Sequence, residues 1–124
     1  MNCSLDVLAL TETWHTASDD ERIHLATPAG YTVAEVARPF GRGGGVAIVY
    51  RKQLKCSRIS QPSRVTMEVL CVRPTSTNGL IVMLNVYRPG SAQQRRPTAL
   101  FFDELTSILW VYIIFTFVSR RYLR

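Results

Sequence analysis

Leu5-Asp-Val-Leu-Ala-Leu-Thr-Glu-Thr-Trp14 is the stretch that decides the fold, because a short apolar run in it ends on a single carboxylate. The run from Leu5 to Leu10 is too short for a helix and predicts a strand buried on both faces, since such strands are nearly continuous in apolar residues. Glu12 follows directly after that strand, and Trp14 is expected to pack. Ligand sites in open α/β sheets lie just beyond the carboxyl ends of strands, so Glu12 is the first candidate for a functional residue.

The composition predicts one domain with an unevenly distributed charge. The chain has 124 residues, of which 47% are hydrophobic and 19% are charged, and its net charge is +6. Six acidic residues and only Arg22 as a base occur up to Val36, whereas fourteen basic and three acidic residues follow from Ala37 onward. Such an excess favours a polyanionic partner such as nucleic acid, although an ordinary basic surface explains it equally well.

The basic residues are concentrated in one connection between predicted strands. The segment from Arg51 to Arg64 carries five lysines and arginines without strong periodicity. It either follows a nucleic-acid backbone or forms a solvated connection, and the second outcome is the more common one.

Cysteine usage and the two ends of the chain bear on the compartment. Cys3, Cys56 and Cys71 are odd in number and widely spaced, which predicts buried, reduced thiols rather than disulfides or a zinc motif. A secretory signal has a basic segment followed by an apolar one, and the amino terminus lacks this pattern. The apolar run from Ile108 to Val118 is shorter than the roughly twenty residues that span a bilayer. We therefore expect an intracellular protein, with the nucleus as a candidate compartment, and no membrane partner.

Two further strands are predicted on either side of a glycine cluster. Tyr31 to Val36 is rich in β-branched and aromatic residues, and Val46 to Tyr50 is a continuous apolar run. The glycines at 43–45 allow backbone N–H groups to approach an anion, as in a phosphate-binding loop. Nucleotide-binding loops, however, open a helix and carry Gly-Lys-Ser/Thr, whereas this loop opens a strand. The favoured interpretation is a tight connection between strands.

A hairpin is predicted in the second half of the chain. The segments Val65 to Val72 and Leu80 to Tyr87 are strand-like, and Asn78-Gly79 between them supplies the positive φ angles of a tight turn. The two strands should therefore pair antiparallel. Tyr87, like Glu12, lies where a strand meets a loop.

The last predicted element is a helix that begins near Pro97. Proline suits a first helical turn, and apolar residues recur at helical spacing as far as Leu109. From Trp110 to Val118 the chain is apolar on every side. We therefore divide the chain into a domain at 1–109 and a tail of different origin at 110–124, apolar and then basic. Many strands with one hairpin and a late helix favour an α/β or α+β sandwich.

Several short motifs together resemble those of the endonuclease/exonuclease/phosphatase superfamily in order and approximate spacing. The closest resemblance is to the apurinic-site-like endonuclease domain of non-LTR retrotransposons. The motifs are Leu5 to Trp14, Gly43-Gly-Gly-Val-Ala-Ile-Val-Tyr50, the strand around Glu68, Asn85-Val-Tyr-Arg-Pro89 and Phe101-Phe-Asp-Glu-Leu105. Jointly they are far more specific than any one of them.

The resemblance implies an α/β fold, namely part of a four-layered α/β sandwich of the DNase I-like type. It also implies an enzyme that hydrolyses phosphodiesters of DNA. It implies a divalent metal, usually Mg²⁺, and no small-molecule cofactor. Glu12 matches the family's metal-binding glutamate, and a carboxylate is the hard ligand that Mg²⁺ prefers. Tyr87 matches the active-site tyrosine, whose phenol donates to a phosphate oxygen or orients the attacking water. Asn85 and Arg88 flank Tyr87 as candidate phosphate contacts.

The departures from the family pattern concern the later catalytic motifs. The sequence has no Gly-Asp-x-Asn and no Ser-Asp-His, and only four residues precede the glutamate strand. We therefore expect the amino-terminal half of a catalytic domain, inactive alone, whose carboxyl-terminal half or reverse transcriptase region is missing. His15 and His24 are expected to be surface residues. Glu68 either orients the metal site or faces water, with the second slightly favoured.

Three functions stay open on the sequence. The first is a fragment of a Mg²⁺-dependent endonuclease that nicks DNA. The second is a catalytically inactive remnant that at most binds nucleic acid weakly. Within the family, a phosphatase acting on a lipid or a small phosphoester is the third.

Overall fold

The computed structural model of the chain describes residues 5–16, 20–38, 43–62, 64–75, 81–89 and 97–122. These residues form six strands and two α-helices in irregular alternation, with one 3₁₀ turn at Lys52–Leu54. The elements are β1 (Val7–Thr11), α1 (Asp20–Ala26), β2 (Tyr31–Val36), β3 (Val46–Arg51), β4 (Cys56–Arg58), β5 (Glu68–Pro74), β6 (Met83–Tyr87) and α2 (Thr98–Tyr122).

The strands form two antiparallel sheets of three strands each. One sheet has the order β1-β3-β2, and the other has the order β4-β5-β6. In the first sheet, Val46 of β3 lies opposite both Thr11 and Val36, so that the ends of β1 and β2 meet at the start of β3. In the second sheet, Glu68 lies opposite Tyr87. The predicted antiparallel pairing of the hairpin strands is confirmed, while its Asn78-Gly79 turn lies outside the described residues.

The core lies between the two sheets. Val46 and Ile48 of β3 pack with Leu70 and Val72 of β5, and all four side chains are at most 1% exposed. Residues two apart on a strand share a face, which explains why each pair points into the same layer. Two antiparallel sheets with few helices confirm the predicted α/β class.

The prediction that the first strand is buried on both faces is wrong. β1 is an edge strand with β3 as its one neighbour among the described residues, and Leu8 is 44% exposed. The central strand of this sheet, β3, is the one that is buried along most of its length. Both runs are mostly apolar, and the position of each in the sheet decides which is covered.

The helix predicted near Pro97 begins at Thr98 and continues to Tyr122. It passes Leu109 without a break, so the change in hydropathy there is not a change in secondary structure. The division at 109 stays a prediction. Within the described ranges, no helix combines the length and the hydropathy that crossing a bilayer requires.

Candidate functional site

Glu12, the first residue after β1, has an unusual backbone conformation. Its φ angle is 57° and that of Trp14 is 58°, both in the left-handed region that non-glycine residues seldom adopt. Two backbone hydrogen bonds to the glycine loop, residues 43–45, hold this turn. They run from Thr13 N–H to Gly45 O at 3.4 Å and from Trp14 N–H to Gly44 O at 2.8 Å. Such backbone strain persists only where the surrounding structure fixes it, and it is concentrated at functional sites.

The Glu12 side chain is exposed at this turn. Its Oε2 accepts a hydrogen bond from the Gly44 N–H at 3.2 Å, which orients the carboxylate. The predicted position of Glu12 directly after the first strand is confirmed. Trp14, predicted to pack, is 65% exposed, because its ring lies at the loop surface beside Gly43.

Glu68 lies on the other side of the same glycine loop. Its Oε1 accepts a hydrogen bond from the Gly45 N–H at 3.0 Å, and its Oε2 pairs with Arg38 Nη2 at 3.1 Å. The side chains of Glu68 and Arg38 are only 10% and 9% exposed. The interpretation that Glu68 faces water is therefore wrong. Glu68 shares the inner face of β5 with Leu70, and Arg38 neutralises it there.

Tyr87 reaches this cluster from the end of β6. It lies opposite Glu68 in the antiparallel register, and the Arg38 guanidinium carbon is 6.0 Å from the centre of its ring. A continuous set of contacts therefore runs from Glu12 through the glycine loop, Glu68 and Arg38 to Tyr87. The two residues that the sequence ranks first lie at the same end of the sandwich.

Asn85 and Arg88, the two flanking candidates, are engaged with the protein. Asn85 is 7% exposed, and its Nδ2 donates to Leu10 O at 2.9 Å and to Ala47 O at 3.0 Å. It thereby joins the two sheets. Arg88 donates from Nη2 to the Thr98 hydroxyl at 3.1 Å and stacks 4.8 Å from the centre of a phenylalanine ring in α2. A phosphate contact by either residue stays a prediction.

His15 is buried, so the prediction that it is a surface residue is wrong. It is 6% exposed, its Nδ1 is hydrogen-bonded to the Thr13 hydroxyl, and its Nε2 pairs with the Glu35 carboxylate. Because an ionised carboxylate only accepts hydrogen bonds, Nε2 carries the proton of this pair. These contacts anchor the turn that contains Glu12 to β2. His24 is exposed on α1, as predicted.

Sequence reasoning missed Arg38 and Glu35 as members of this region. Both lie at or just after the end of β2, which the antiparallel register brings beside the start of β3 and the glycine loop. The one signal in the sequence was the position of Glu35 inside a predicted strand, since charged residues are rarely buried unless they are paired.

The donor set can be compared with the needs of a divalent cation. No group of three or more histidine, cysteine, aspartate or glutamate residues converges on a common point in the described part of the chain. Glu12 is exposed and forms no ion pair with a cationic side chain among the described residues. Mg²⁺ retains several waters and is held by one or two carboxylates, so Glu12 fits as one ligand of such an ion. Bound there, the ion would polarise a phosphate and neutralise charge on the leaving oxygen.

Comparison with known proteins agrees with this geometry. The family model described as the endonuclease/exonuclease/phosphatase family matches residues 2–114. Neither the curated proteins nor the solved structures contain a match to the chain. The matched region contains every residue of the cluster between Glu12 and Tyr87 as well as both sheets, which is the arrangement of a DNase I-like fold. The chain therefore belongs to the endonuclease/exonuclease/phosphatase family, a family of phosphodiester-hydrolysing enzyme domains.

Proposed function

We propose that this chain is part of a Mg²⁺-dependent endonuclease of the retrotransposon type, an enzyme that hydrolyses phosphodiester bonds of DNA. The observation that carries the proposal is the convergence of Glu12 and Tyr87 on one glycine loop, through Glu68 and Arg38. In this proposal Glu12 is a metal ligand, and Tyr87 donates its phenol proton to a phosphate oxygen or orients water.

Charge supports DNA as the substrate. The net charge is +6, and a positive protein surface attracts the phosphate backbone of nucleic acid independently of sequence. The residues that support the site have a separate task. Arg38 and Glu68 neutralise each other beside Tyr87, so they orient the tyrosine and the loop, while Glu12 forms no ion pair among the described residues.

A second candidate function is a catalytically inactive chain that binds nucleic acid weakly. One observation favours it, namely the small number of reactive groups beside Glu12 and Tyr87. Of the two histidines, His15 is held by Thr13 and Glu35, and His24 lies on α1. Neither is available in the described structure to act as a general base at Tyr87. General acid–base groups and charge stabilisation each contribute orders of magnitude to hydrolysis.

A plasmid-nicking assay with a parallel metal titration separates the two functions. Conversion of supercoiled plasmid to the nicked form is measured with Mg²⁺ and with chelator, for the wild type, Glu12→Gln and Tyr87→Phe. Nicking that requires Mg²⁺ and is lost in Glu12→Gln supports the endonuclease. Glu12→Gln removes the negative charge but keeps the local hydrogen bond, since its amide oxygen still accepts from the Gly44 N–H.

The metal titration uses Mn²⁺ as a paramagnetic probe of the Gly44 and Gly45 amide signals. Saturable broadening that Glu12→Gln removes, without nicking, supports the inactive chain with its metal ligand retained. Absence of both nicking and broadening in folded protein would exclude the proposed metal-dependent function.

A further inference from the structure

A cleft on the far side of Glu68 contains two arginines that the candidate site does not use. We name it the arginine cleft. Its volume is about 340 Å³, at the lower end of the range for ligand-binding clefts. It lies between the end of β2, the segment after β4 and the start of β5. Among its lining residues are Val36, Arg58, Ser60, Arg64 and Glu68.

Arg64 carries a buried hydrogen-bond donor that has no acceptor. Its Nε is inaccessible to solvent and has no hydrogen-bond partner in the described part of the protein. Buried polar atoms are almost always hydrogen-bonded in native proteins, so such an atom requires an explanation. A guanidinium offers five N–H donors and no acceptor, and it matches the paired oxygens of a phosphate or carboxylate. An oxyanion in the cleft would supply an acceptor of this kind.

The charge of the cleft is not balanced by its own residues. Arg58 donates from Nη1 to the backbone oxygen of Glu35 at 3.1 Å. Within the described ranges, however, neither Arg58 nor Arg64 forms an ion pair with a carboxylate. Glu68 is the one acidic residue in the lining, and Arg38 already neutralises it. Two arginines therefore line a common space whose one acidic residue is already paired, and Ser60 lines the same space.

We propose that the arginine cleft binds a phosphate group, either in the backbone of a nucleic-acid strand or in a small phosphate ester. Arg64 supplies the buried donor, and Arg58 supplies the second positive charge at the solvent-exposed side. Arginine binds phosphate through parallel N–H donors, and these charge-assisted bonds are stronger than neutral ones. The inference goes beyond the proposed hydrolysis, because binding in the cleft requires neither Glu12 nor Tyr87.

The test observes Arg64 directly by NMR of the arginine Nε–Hε groups in the full chain. The Arg64 signal is assigned by its absence in Arg64→Lys. Inorganic phosphate, and separately a short oligothymidylate, is titrated at constant ionic strength, with chloride as the reference anion. We expect a saturable shift of the Arg64 Nε–Hε signal, because the buried donor gains an acceptor.

Two charge-matched variants measure specificity. Arg64→Gln should weaken phosphate binding at least about tenfold, as expected for the loss of a charge-assisted hydrogen bond. Arg22→Gln removes the same charge from an exposed position on α1 and should change the affinity less than about twofold, since exposed charges are screened. Arg64→Lys keeps the charge without the planar donors and should bind with intermediate affinity.

The outcomes separate the sources of the phosphate. Competition between phosphate and the oligothymidylate at Arg64 assigns the cleft to a nucleic-acid backbone. Phosphate binding without oligothymidylate binding assigns it to a small phosphate ester. An Arg64 signal that shifts with neither ligand, or equal weakening by Arg64→Gln and Arg22→Gln, would overturn the proposal.

Discussion

Glu12 and Glu68 accept hydrogen bonds from two consecutive backbone amides, those of Gly44 at 3.2 Å and Gly45 at 3.0 Å. The two carboxylates come from different sheets, so the glycine loop joins the end of β1 to the start of β5. Their surroundings differ. Glu68 is buried and paired with Arg38, whereas Glu12 is exposed and has no cationic partner among the described residues. This difference assigns a structural role to Glu68, and the exposure of Glu12 is consistent with its proposed role as a metal ligand.

Removal of the Glu68 carboxylate should destabilise the protein strongly. Glu68→Ala leaves the Arg38 guanidinium buried without its carboxylate, and breaking a buried pair in this way costs about 3–5 kcal/mol of the free energy of unfolding. Urea unfolding measures this loss. Asp6→Ala is the matched control, because the Asp6–Arg51 pair at 2.9 Å has side chains that are 72% and 34% exposed and contributes at most about 1 kcal/mol. Equal losses in the two variants would contradict the structural role of Glu68.

Gly45 should tolerate no side chain, although Gly30 has the same backbone conformation. The φ angles are 87° and 85°, but a Cβ at Gly45 would lie 2.3 Å from Thr13 Oγ1, while no atom lies within 4 Å of a Cβ at Gly30. Gly30→Ala should therefore cost only the left-handed backbone penalty, about 1–2 kcal/mol. Gly45→Ala should cost about 1–3 kcal/mol more because of the clash.

Thermal or urea unfolding of the two alanine variants gives this difference. Adding Thr13→Ala to Gly45→Ala should recover part of the loss, since the closest atom is then removed. If Gly30→Ala and Gly45→Ala are equally stable, the close approach of the loop to Thr13 is not what requires glycine at position 45.

The strands of this fold could be predicted where local pattern and final environment agree. Val46 to Tyr50 is apolar and becomes the buried central strand, and Tyr31 to Val36 coincides with β2. The strand at β4 was missed, because Cys56–Arg58 is short and polar and depends on its pairing with β5. The predicted start of the hairpin at Val65 is three residues early, since Val65 and Thr66 instead donate backbone hydrogen bonds to Glu104 of α2.

The outer residues of the candidate site, Glu12 and Tyr87, could be predicted from the sequence, but the buried polar residues between them could not. Glu12 directly follows β1 and Tyr87 is the last residue of β6, and strand ends are visible in the sequence. The burial of Glu68 depends on Arg38, thirty residues away, and that of His15 depends on Glu35, twenty residues away. A polar residue is read as exposed unless its partner is known, and distant partners are set by sheet pairing rather than by local pattern.

Alkaline pH should destabilise the protein through Tyr50 and Cys56. Burial, and secondarily the charge of Cys56, raises the pKa of the Tyr50 phenol above its ordinary value of 10.0, and burial raises the pKa of the Cys56 thiol above 9.0. The unfolded chain then loses these protons at lower pH than the folded one. Stability is therefore complete below the ordinary pKa values and falls as the pH rises through them toward the folded values.

Urea unfolding as a function of pH between neutrality and the tyrosine range checks this prediction. Tyr50→Phe removes the phenolic proton and keeps the ring, so its stability should fall less steeply with pH than that of the wild type. Cys56→Ala should reduce the slope in the same direction near the cysteine pKa. If all three proteins have the same slope, other groups cause the alkaline loss.

Asn85→Asp should destabilise the protein strongly at neutral pH and less strongly in acid. The Asn85 amide donates to two backbone oxygens, those of Leu10 and Ala47, which an ionised carboxylate cannot do because it only accepts. Asn85→Ala removes both of these hydrogen bonds between the sheets, and at about 0.5–1.5 kcal/mol each this should cost about 1–3 kcal/mol of the free energy of unfolding. Asn85→Asp should cost more at neutral pH, since a buried charge is added beside two oxygens.

Acid distinguishes this explanation from a simple loss of packing. A protonated aspartic acid has one O–H donor and can serve one of the two carbonyls, so burial among acceptors raises the folded pKa of an aspartate at this position. Its destabilisation should therefore be smallest below the ordinary aspartate pKa and grow as the pH rises through the folded value. The measured quantity is the difference in unfolding free energy between Asn85→Asp and Asn85→Ala at each pH, which cancels the titration of Glu68 and the other acids. A difference that does not change with pH would mean that the Asn85 amide does not join the sheets through these two carbonyls.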